Sequence, residues 1–272
     1  MKTGKLAVLL AAVASGKIAL SGTNDFYVTG YASFDVSSGY VLFGARENDE
    51  PCYWTYGELN AGYGKLGSLG VMFWQNTDMT TQRKAAMQRM NEWDFAAFAR
   101  TGYEIADGWR INLEIGHLWY IYHGVTANYK PYYHTMEEWG GRIALENPYV
   151  TPYFEYHHDY KVYDGTFMLG GLKHQFELPL GFSFTADLTL GGGDRNYNEC
   201  MYPPFDGSIS GCIAYVQLMG TLRYWFNDYF GVHLNVAYVS IVDGDIRDAM
   251  DKYGSPYAND YVWGTIGVDF AF

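Results

Sequence analysis

Apolar and mixed positions alternate one by one along the last twelve residues of the chain, Tyr261 to Phe272. The opposite side of this stretch is mixed and carries Asp269. A period of two is typical of a β-strand whose faces meet two different environments. One face is entirely apolar or glycine and comprises Val262, Gly264, Ile266, Val268, Phe270 and Phe272.

The same alternation recurs through the chain and predicts about twelve strands. Their approximate ranges are 26–45, 53–63, 68–75, 92–105, 109–122, 138–146, 149–159, 166–178, 182–190, 212–226, 230–238 and 261–272. About ten residues per strand, tilted near 45°, are enough to cross the apolar core of a bilayer.

The connections between these strands alternate in length. Five are tight turns, such as Ala106-Asp107-Gly108 and Asn147-Pro148, and most of the others are longer and more polar. Outer-membrane barrels combine an even strand number with short periplasmic turns and longer outer loops. The pattern therefore predicts an all-β, antiparallel up-and-down transmembrane β-barrel over residues 23–272, with both termini on the periplasmic side.

The competing structure is a soluble β-sandwich or a lipocalin-like barrel, which would point the apolar residues inward. Twelve strands would then fill one core, and neither the terminal Phe272 nor a secretion signal would have a role. The terminal aromatic residue resembles the closing strand of outer-membrane barrels, where it marks the chain for the barrel assembly machinery. This resemblance favours the membrane barrel.

Composition supports a barrel in a membrane. Aromatic residues make up 18% of the chain, with 26 Tyr and 8 Trp, and charged residues also make up 18%. Tyr and Trp suit the girdles where a barrel wall meets water. The mean hydropathy is −0.18, and no apolar run approaches the ~20 residues that a membrane helix requires.

The N-terminus has the pattern of a secretory signal peptide, which we predict within residues 1–22. Lys2 and Lys5 precede an apolar run, and Ala12-Val13-Ala14 offers a cleavage site after Ala14. Gly22 is a second candidate boundary, and a frayed apolar N-terminus is the alternative. Export and a barrel together predict the outer membrane of a Gram-negative bacterium. The net charge of −12 argues against nucleic acid as a partner.

The stretch from Ser37 to Pro51 resembles the opening hairpin of the TorF-like porin family. Ser38, Tyr40, Gly44 and Pro51 match the family's pattern of Ser, Asp, Tyr, Arg-Gly and Pro. Gly39 stands where Asp is usual, and Phe43 stands where Arg is usual. The resemblance covers one hairpin and implies a small porin-like channel without indicating a substrate.

Polar residues on the inward parity of the strands are candidates for a pore lining in which acids outnumber bases, which favours cations. The alternative is that these groups pair with one another and plug the lumen. The predicted lining comprises Glu58, Asp94, Arg100, Arg110, Glu114, Arg142, Glu155, Asp187, Arg223 and Asp269. Glu104, Asn112, Glu146, His157, Gln217 and His233 share this parity.

Four histidines are weaker candidates for a metal-capture site at the outer ends of the fifth to seventh strands. Glu137, Glu138 and Asp159 lie nearby, and imidazole with carboxylate can ligate zinc or copper. The alternative is a set of solvated loop histidines, since no metal-ligand spacing occurs within one strand. These candidates are His123, His134, His157 and His158.

A hydrolase site in the barrel wall is a further alternative. It would combine His157 or His158 with Asp159 and a loop serine, Ser208 or Ser210, but no hydrolase motif fixes the serine. We therefore predict no enzymatic activity and no cofactor. Asp243-Gly244-Asp245 hints at calcium but lacks the later ligands of a calcium loop.

Three cysteines, Cys52, Cys200 and Cys212, fall in predicted long loops on one side of the barrel. Cys200 and Cys212 share a loop and could form a disulfide in an oxidising compartment, or all three could be free thiols.

The sequence thus predicts a porin-like channel for passive diffusion of small polar solutes, with a preference for cations. The expected partners are outer-membrane lipid, lipopolysaccharide, small polar solutes and the barrel assembly machinery, through Phe272. A non-conducting structural or adhesive barrel remains the alternative.

Overall fold

The computed structural model describes residues 26–64, 66–79, 91–123, 135–202, 209–254 and 257–272. Twelve antiparallel strands form a closed barrel, which confirms the predicted fold. Each strand pairs with its neighbours in the chain, apart from a small hairpin inserted after the first strand. The barrel strands are β1 (Phe26–Ser37), β4 (Cys52–Tyr63), β5 (Gly67–Asp78), β6 (Asn91–Ala106), β7 (Trp109–His123), β8 (Thr135–Glu146), β9 (Thr151–Asp159), β10 (Gly165–Glu177), β11 (Phe182–Gly193), β12 (Tyr215–Trp225), β13 (Phe230–Ile241) and β14 (Asp260–Ala271).

The barrel closes where the first strand meets the last. β1 pairs with β14 from Tyr31 opposite Ala271 to Ser37 opposite Thr265. The backbone of Phe272 adds two hydrogen bonds of 3.0 Å with Gly30. The ring of Phe272 lies where a Cβ at residue 30 would stand, 2.2 Å away. A glycine at this position therefore lets the terminal aromatic ring lie across the seam.

The two ends of the barrel differ in the lengths of their connections. The connections after β4, β6, β8, β10 and β12 take two to four residues each, and this end is called the turn end. The others take between five and twenty-one residues, and this end is called the loop end. The alternation predicted from the sequence is therefore present. In the tight turn before β7, Gly108 adopts a φ of 71°, which glycine tolerates without a steric penalty.

The apolar faces of the strands point away from the lumen. Ile266 is 63% exposed and Leu234 is 45% exposed, whereas Asp269 on the opposite face of β14 is fully buried. An apolar exterior around a polar interior is the arrangement of a wall that faces hydrocarbon. It contradicts the soluble-barrel alternative, which requires these side chains to pack inside.

The first strand is shorter than predicted. It ends at Ser37 rather than Ala45, and residues 40–48 form a separate hairpin of β2 (Tyr40–Leu42) and β3 (Ala45–Asn48). The Ser37 hydroxyl donates a 2.6 Å hydrogen bond to the carbonyl of Gly39, which turns the chain there. A side chain at Gly39 would meet the carbonyl oxygen of Asn48 at 2.7 Å. We call residues 40–48 the lumen hairpin, for the position described below.

Two helices occur in segments predicted as plain loops, namely α1 (Arg195–Met201) and α2 (Gly244–Tyr253). Asp194 caps α1 through the backbone N–H of Tyr197, and Asp243 caps α2 through those of Asp245 and Ile246. The carboxylate that hinted at calcium is therefore a helix cap. No helix among the described residues has the length and apolar character to cross a membrane. The stretch 82–90, whose composition with Arg83, Lys84 and Arg89 favours a helix, lies outside the residues that the structure describes.

Strand polarity gives a direct test of the outward face. Ile115 on β7 points outward and is 61% exposed, whereas Asn112 on the same strand lines the interior. We expect Ile115→Arg to lower the free energy of unfolding by about 2–4 kcal/mol, because it places a cation in hydrocarbon.

The measurement is urea unfolding of barrels folded into lipid vesicles, with Asn112→Arg as the matched control. The control should change the free energy of unfolding far less, because its cation enters a polar cavity. Equal effects of the two substitutions would contradict the assigned orientation of β7.

Candidate functional site in the lumen

Two adjoining cavities occupy the barrel interior from the turn end to its middle. The larger has a volume of about 820 Å³ and opens at the turn end. The smaller, about 200 Å³, lies deeper, and the two share Arg100, Glu114 and Arg142 in their walls. Arg110, Asn112, Glu146 and Lys173 also line the larger cavity. The interior is therefore polar and roomy enough for water.

Charged side chains pair between strands in the middle of the lumen. Arg100 on β6 bonds Glu58 on β4 at 2.5 Å and also bonds Glu114 on β7. The Arg142 guanidinium lies 3.2 Å from a carboxylate oxygen of Glu155 on β9. These partners are distant in the sequence, so the pairs could not be predicted without knowing which strands lie side by side.

A second network lies on the wall formed by β1, β12, β13 and β14. His233 lies between two acids, with Nε2 2.5 Å from Asp35 and Nδ1 3.0 Å from Asp269. Arg223 lies 3.1 Å from Asp269, which also accepts the hydroxyl of Tyr31. His233 and both acids are buried. The alternative of mutual pairing thus applies to these groups and to the central pairs.

Two other residues of the predicted lining have different surroundings. Asp187 accepts the Tyr153 hydroxyl at 2.8 Å. Arg110 crosses over Gly102, where an added Cβ would lie 2.4 Å from its Nε, and lines the larger cavity. That any of these residues lines a conducting pore stays a prediction.

The lumen hairpin crosses the bore at the loop end. It leaves the wall between β1 and β4, and the opposite wall in the strand order is formed by β9 and β10. Its tip residue Phe43 packs against Phe167 on β10, with ring centroids 4.4 Å apart, and against His157 on β9 at 5.6 Å. The hairpin therefore spans the full width of the barrel.

Hydrogen bonds and close packing hold the tip in place. The hydroxyl of Tyr202 donates to the carbonyl of Phe43, and that of Tyr261 donates to the carbonyl of Gly44, each at 2.9 Å. Gly44 has a φ of 81°, and a Cβ there would lie 2.2 Å from the ring of Tyr215. Only glycine allows the tip to approach this wall so closely.

Apolar side chains surround the tip and fill this part of the bore. We call them the loop-end cluster. They come from the two loop helices, from the hairpin and from the inner faces of β10, β12, β13 and β14. The buried members are Ala45, Phe167, Tyr197, Met201, Tyr202, Ile209, Ala214, Tyr215, Val239, Ile241, Ile246, Met250, Tyr257 and Tyr261.

The near side of the hairpin faces buried acids. Tyr40 donates its hydroxyl to Glu92 on β6, and both residues are almost fully buried. Asp94 on β6 and Glu138 on β8 are also buried. Glu138 accepts the hydroxyl of Tyr120 at 2.9 Å and lies 3.3 Å from Nδ1 of His157.

The two histidine candidates that the structure describes, His157 and His158, are not brought together. His157 points inward to Glu138 and Glu155, whereas His158 contacts Thr166 at 3.2 Å and Asp164 at 3.7 Å. His134 and the side chain of His123 lie outside the described residues. Within the part of the chain that is described, no three His, Cys, Asp or Glu side chains are placed to hold a metal ion.

The acid considered for a hydrolase, Asp159, is engaged in its own loop. The Asp159 carboxylate accepts backbone N–H groups from Lys161, Val162 and Tyr163, so it shapes the loop after β9. The carbonyl of Ser210 accepts a hydrogen bond from Asn198. Ser208 lies outside the described residues.

Cys52 and Cys212 are free thiols, and Cys52 is fully buried. The Cys212 thiol lies in the loop before β12, where burial and the nearby Asp243 raise its pKa to about 11. The side chain of Cys200 lies outside those that the structure describes.

Sequence reasoning missed the groups that meet the hairpin. Glu92 shares the inward parity of Asp94, so its placement could have been predicted. Tyr40, Phe43 and Glu47 could not, because the alternation continues across Ser37 and gives no sign that the hairpin bends inward.

The closed wall, the apolar exterior and the charged interior define a transmembrane β-barrel of the outer-membrane class, with a porin-like fold. Solved structures with this fold include the NanC porin, at 12% identity and a TM-score of 0.50, covering 89% of this chain and 98% of that one. The KdgM porin in complex with disordered oligogalacturonate has 8% identity, a TM-score of 0.49 and coverage of 90% and 99%.

The translocator domain of the autotransporter NalP from Neisseria meningitidis has 11% identity, a TM-score of 0.45 and coverage of 99% and 96%. The chain matches no protein-family model and no curated protein sequence. These likenesses concern the fold, and the resemblance to TorF-like porins is not confirmed.

The buried histidine network gives a prediction for stability. We expect His233→Phe to lower the free energy of unfolding by about 3–5 kcal/mol, because it leaves Asp35 and Asp269 buried without this partner. Urea unfolding in lipid vesicles measures the change. His174→Phe is the matched control, because His174 packs against Phe176 and has no carboxylate partner among the described residues. A loss of stability no larger than that of the control would show that the network contributes little.

Proposed function

We propose that this protein is an outer-membrane channel through which small polar solutes diffuse passively. The observation that carries the proposal is the polar cavity of about 820 Å³ that opens at the turn end and adjoins the mid-lumen cavity. A polar lumen inside an apolar wall is the arrangement of porins. The porin-like fold and the resemblance of the Ser37–Pro51 stretch to TorF-like porins agree with this proposal.

The lumen hairpin would set the size limit. It crosses the bore at the loop end, so a solute has to pass beside it or displace it. Pore dimensions and the groups that line the narrowest section decide what a channel admits.

We propose that the channel prefers cations modestly. Buried acids Glu92, Asp94 and Glu138 surround the bore beside the hairpin, which favours cations there. Arg110 and Lys173 line the cavity at the turn end, where they act in the opposite sense.

A non-conducting structural or adhesive barrel is the second candidate. The loop-end cluster favours it, because fourteen buried side chains fill the bore around the hairpin tip. The two functions differ in one measurable property, which is conductance.

Removal of the hairpin tests the first function. We expect the purified barrel to show single-channel conductance in planar bilayers, and replacement of residues 40–48 by a short Gly-Ser linker to raise it roughly twofold or more. Phe43→Ala should give a smaller rise. Phe34→Ala is its matched control, because Phe34 points outward to lipid and should leave conductance unchanged.

Circular dichroism confirms that each variant folds as a barrel. Folded barrels that stay silent with and without the hairpin would overturn the channel proposal and favour the structural one.

The turn-end cations give a prediction for selectivity. We expect replacement of Arg110 and Lys173 by Gln to increase the preference for potassium over chloride, because both cations line the cavity. The zero-current potential across a KCl gradient measures this preference. Lys161→Gln is the control, since Lys161 pairs with Glu137 outside the lumen. An unchanged potential in the double variant would show that ions do not pass this cavity.

A further inference from the structure

The lumen hairpin carries a buried carboxyl group, that of Glu47. Glu47 on β3 is 8% exposed. Its neighbour Arg46 lies on the opposite face of the strand, with its guanidinium over the ring of Tyr261 at 5.5 Å. No Lys, Arg or His of the described chain forms an ion pair with Glu47.

The groups that face Glu47 come from three other elements. Glu92 on β6 is the acid among them and acts on Glu47 electrostatically. Two tyrosines also face Glu47, namely Tyr202, which follows α1, and Tyr261 on β14. A third, Tyr40, belongs to the hairpin itself. A negative charge on Glu47 would therefore be buried beside a second acid without a compensating ion pair.

The attachments at the tip itself, through Phe43 and Gly44, are neutral. They are the ring contacts of Phe43 and the two hydrogen bonds from Tyr202 and Tyr261 to backbone carbonyls. A phenol ordinarily ionises near pH 10, so these attachments persist through the neutral range. Within the hairpin, Glu47 is the buried group that changes its charge at a lower pH than the phenols.

We propose that the lumen hairpin is a proton-controlled gate, docked across the bore while Glu47 is protonated and released when Glu47 ionises. The proposal rests on the channel function proposed above. It assigns to the hairpin a regulatory role in addition to a size limit, because ionised Glu47 would repel Glu92 and gain water by leaving the bore.

The direction of the effect follows from linkage. Burial, and then the charge of Glu92, raise the pKa of the Glu47 carboxyl to about 8 in the docked hairpin. A released hairpin would return this pKa to its ordinary value near 4.3. Docking is therefore strongest at low pH and weakens as the pH rises towards 8. The docking equilibrium can change on the order of a thousandfold over this range, by up to about tenfold per pH unit.

The test compares the full-length wild-type barrel with Glu47→Gln in planar bilayers from pH 5 to pH 9. We expect the open fraction of the wild type to rise with pH and to level off above about pH 8. Glu47→Gln keeps the side-chain size without the charge, so its channels should stay in the low-conductance state at every pH. Glu50→Gln, three residues along the same loop at a partly exposed position, should titrate like the wild type.

Hydroxyl-radical footprinting of Phe43 by mass spectrometry measures the position of the hairpin without relying on conductance. Oxidation of Phe43 relative to lipid-facing Phe34 should increase from pH 5 to pH 9 in the wild type and stay low in Glu47→Gln. A wild type with a constant open fraction and constant footprint, or a Glu47→Gln variant that titrates like it, would overturn the gate. A footprint that shifts in a barrel silent at every pH would support proton-controlled docking of the hairpin but overturn the channel, and with it the role of the hairpin as a gate.

Discussion

The backbone of a chain in hydrocarbon has no water to bond, and this constraint determines the rest of the structure. A closed barrel satisfies it, because every strand has two partners and no edge is left open. Here the seam between β1 and β14 completes the ring, and the terminal residue adds two backbone bonds to Gly30. Closure fixes the inside and the outside of the wall, and the alternation of each strand then places apolar side chains in lipid and polar ones in the lumen.

The polar interior creates a second requirement, because charges away from bulk water need partners. Arg100 meets two carboxylates, and His233 lies between two others. These pairs leave two adjoining cavities from the turn end to the middle. Beyond them the lumen hairpin crosses to the opposite wall, where apolar side chains enclose its tip. The lumen is thus polar and open towards the turn end and tightly packed towards the loop end. The contact between the hairpin and the wall decides whether solutes can pass from one end to the other.

Much of the barrel could be predicted from the sequence, because a period of two and the alternation of short and long connections are local signals. Twelve strands, their order and the outward side of residues such as Leu234 and Ile266 followed from them. The hairpin did not, since Tyr40 and Leu42 continue the parity of Phe34, and only the close approach at Gly39 turns the chain inward. The loop helices were missed because their caps, Asp194 and Asp243, lie in polar stretches that also suit loops. The ion pairs depend on strand register, which parity alone does not give. His157 and His158 follow one another on β9, so their side chains lie on opposite faces and do not form one site.

The central claim is that the first loop crosses the bore and docks on the far wall. The most direct measurement is a cross-link between Phe43→Cys and Phe167→Cys by a short bis-methanethiosulfonate reagent, because the native rings pack with their centroids 4.4 Å apart. The account predicts that the folded double variant forms the cross-linked peptide in high yield, detected by mass spectrometry and lost on reduction, while neither single variant does. A correctly folded double variant in which both thiols stay free of each other would contradict it.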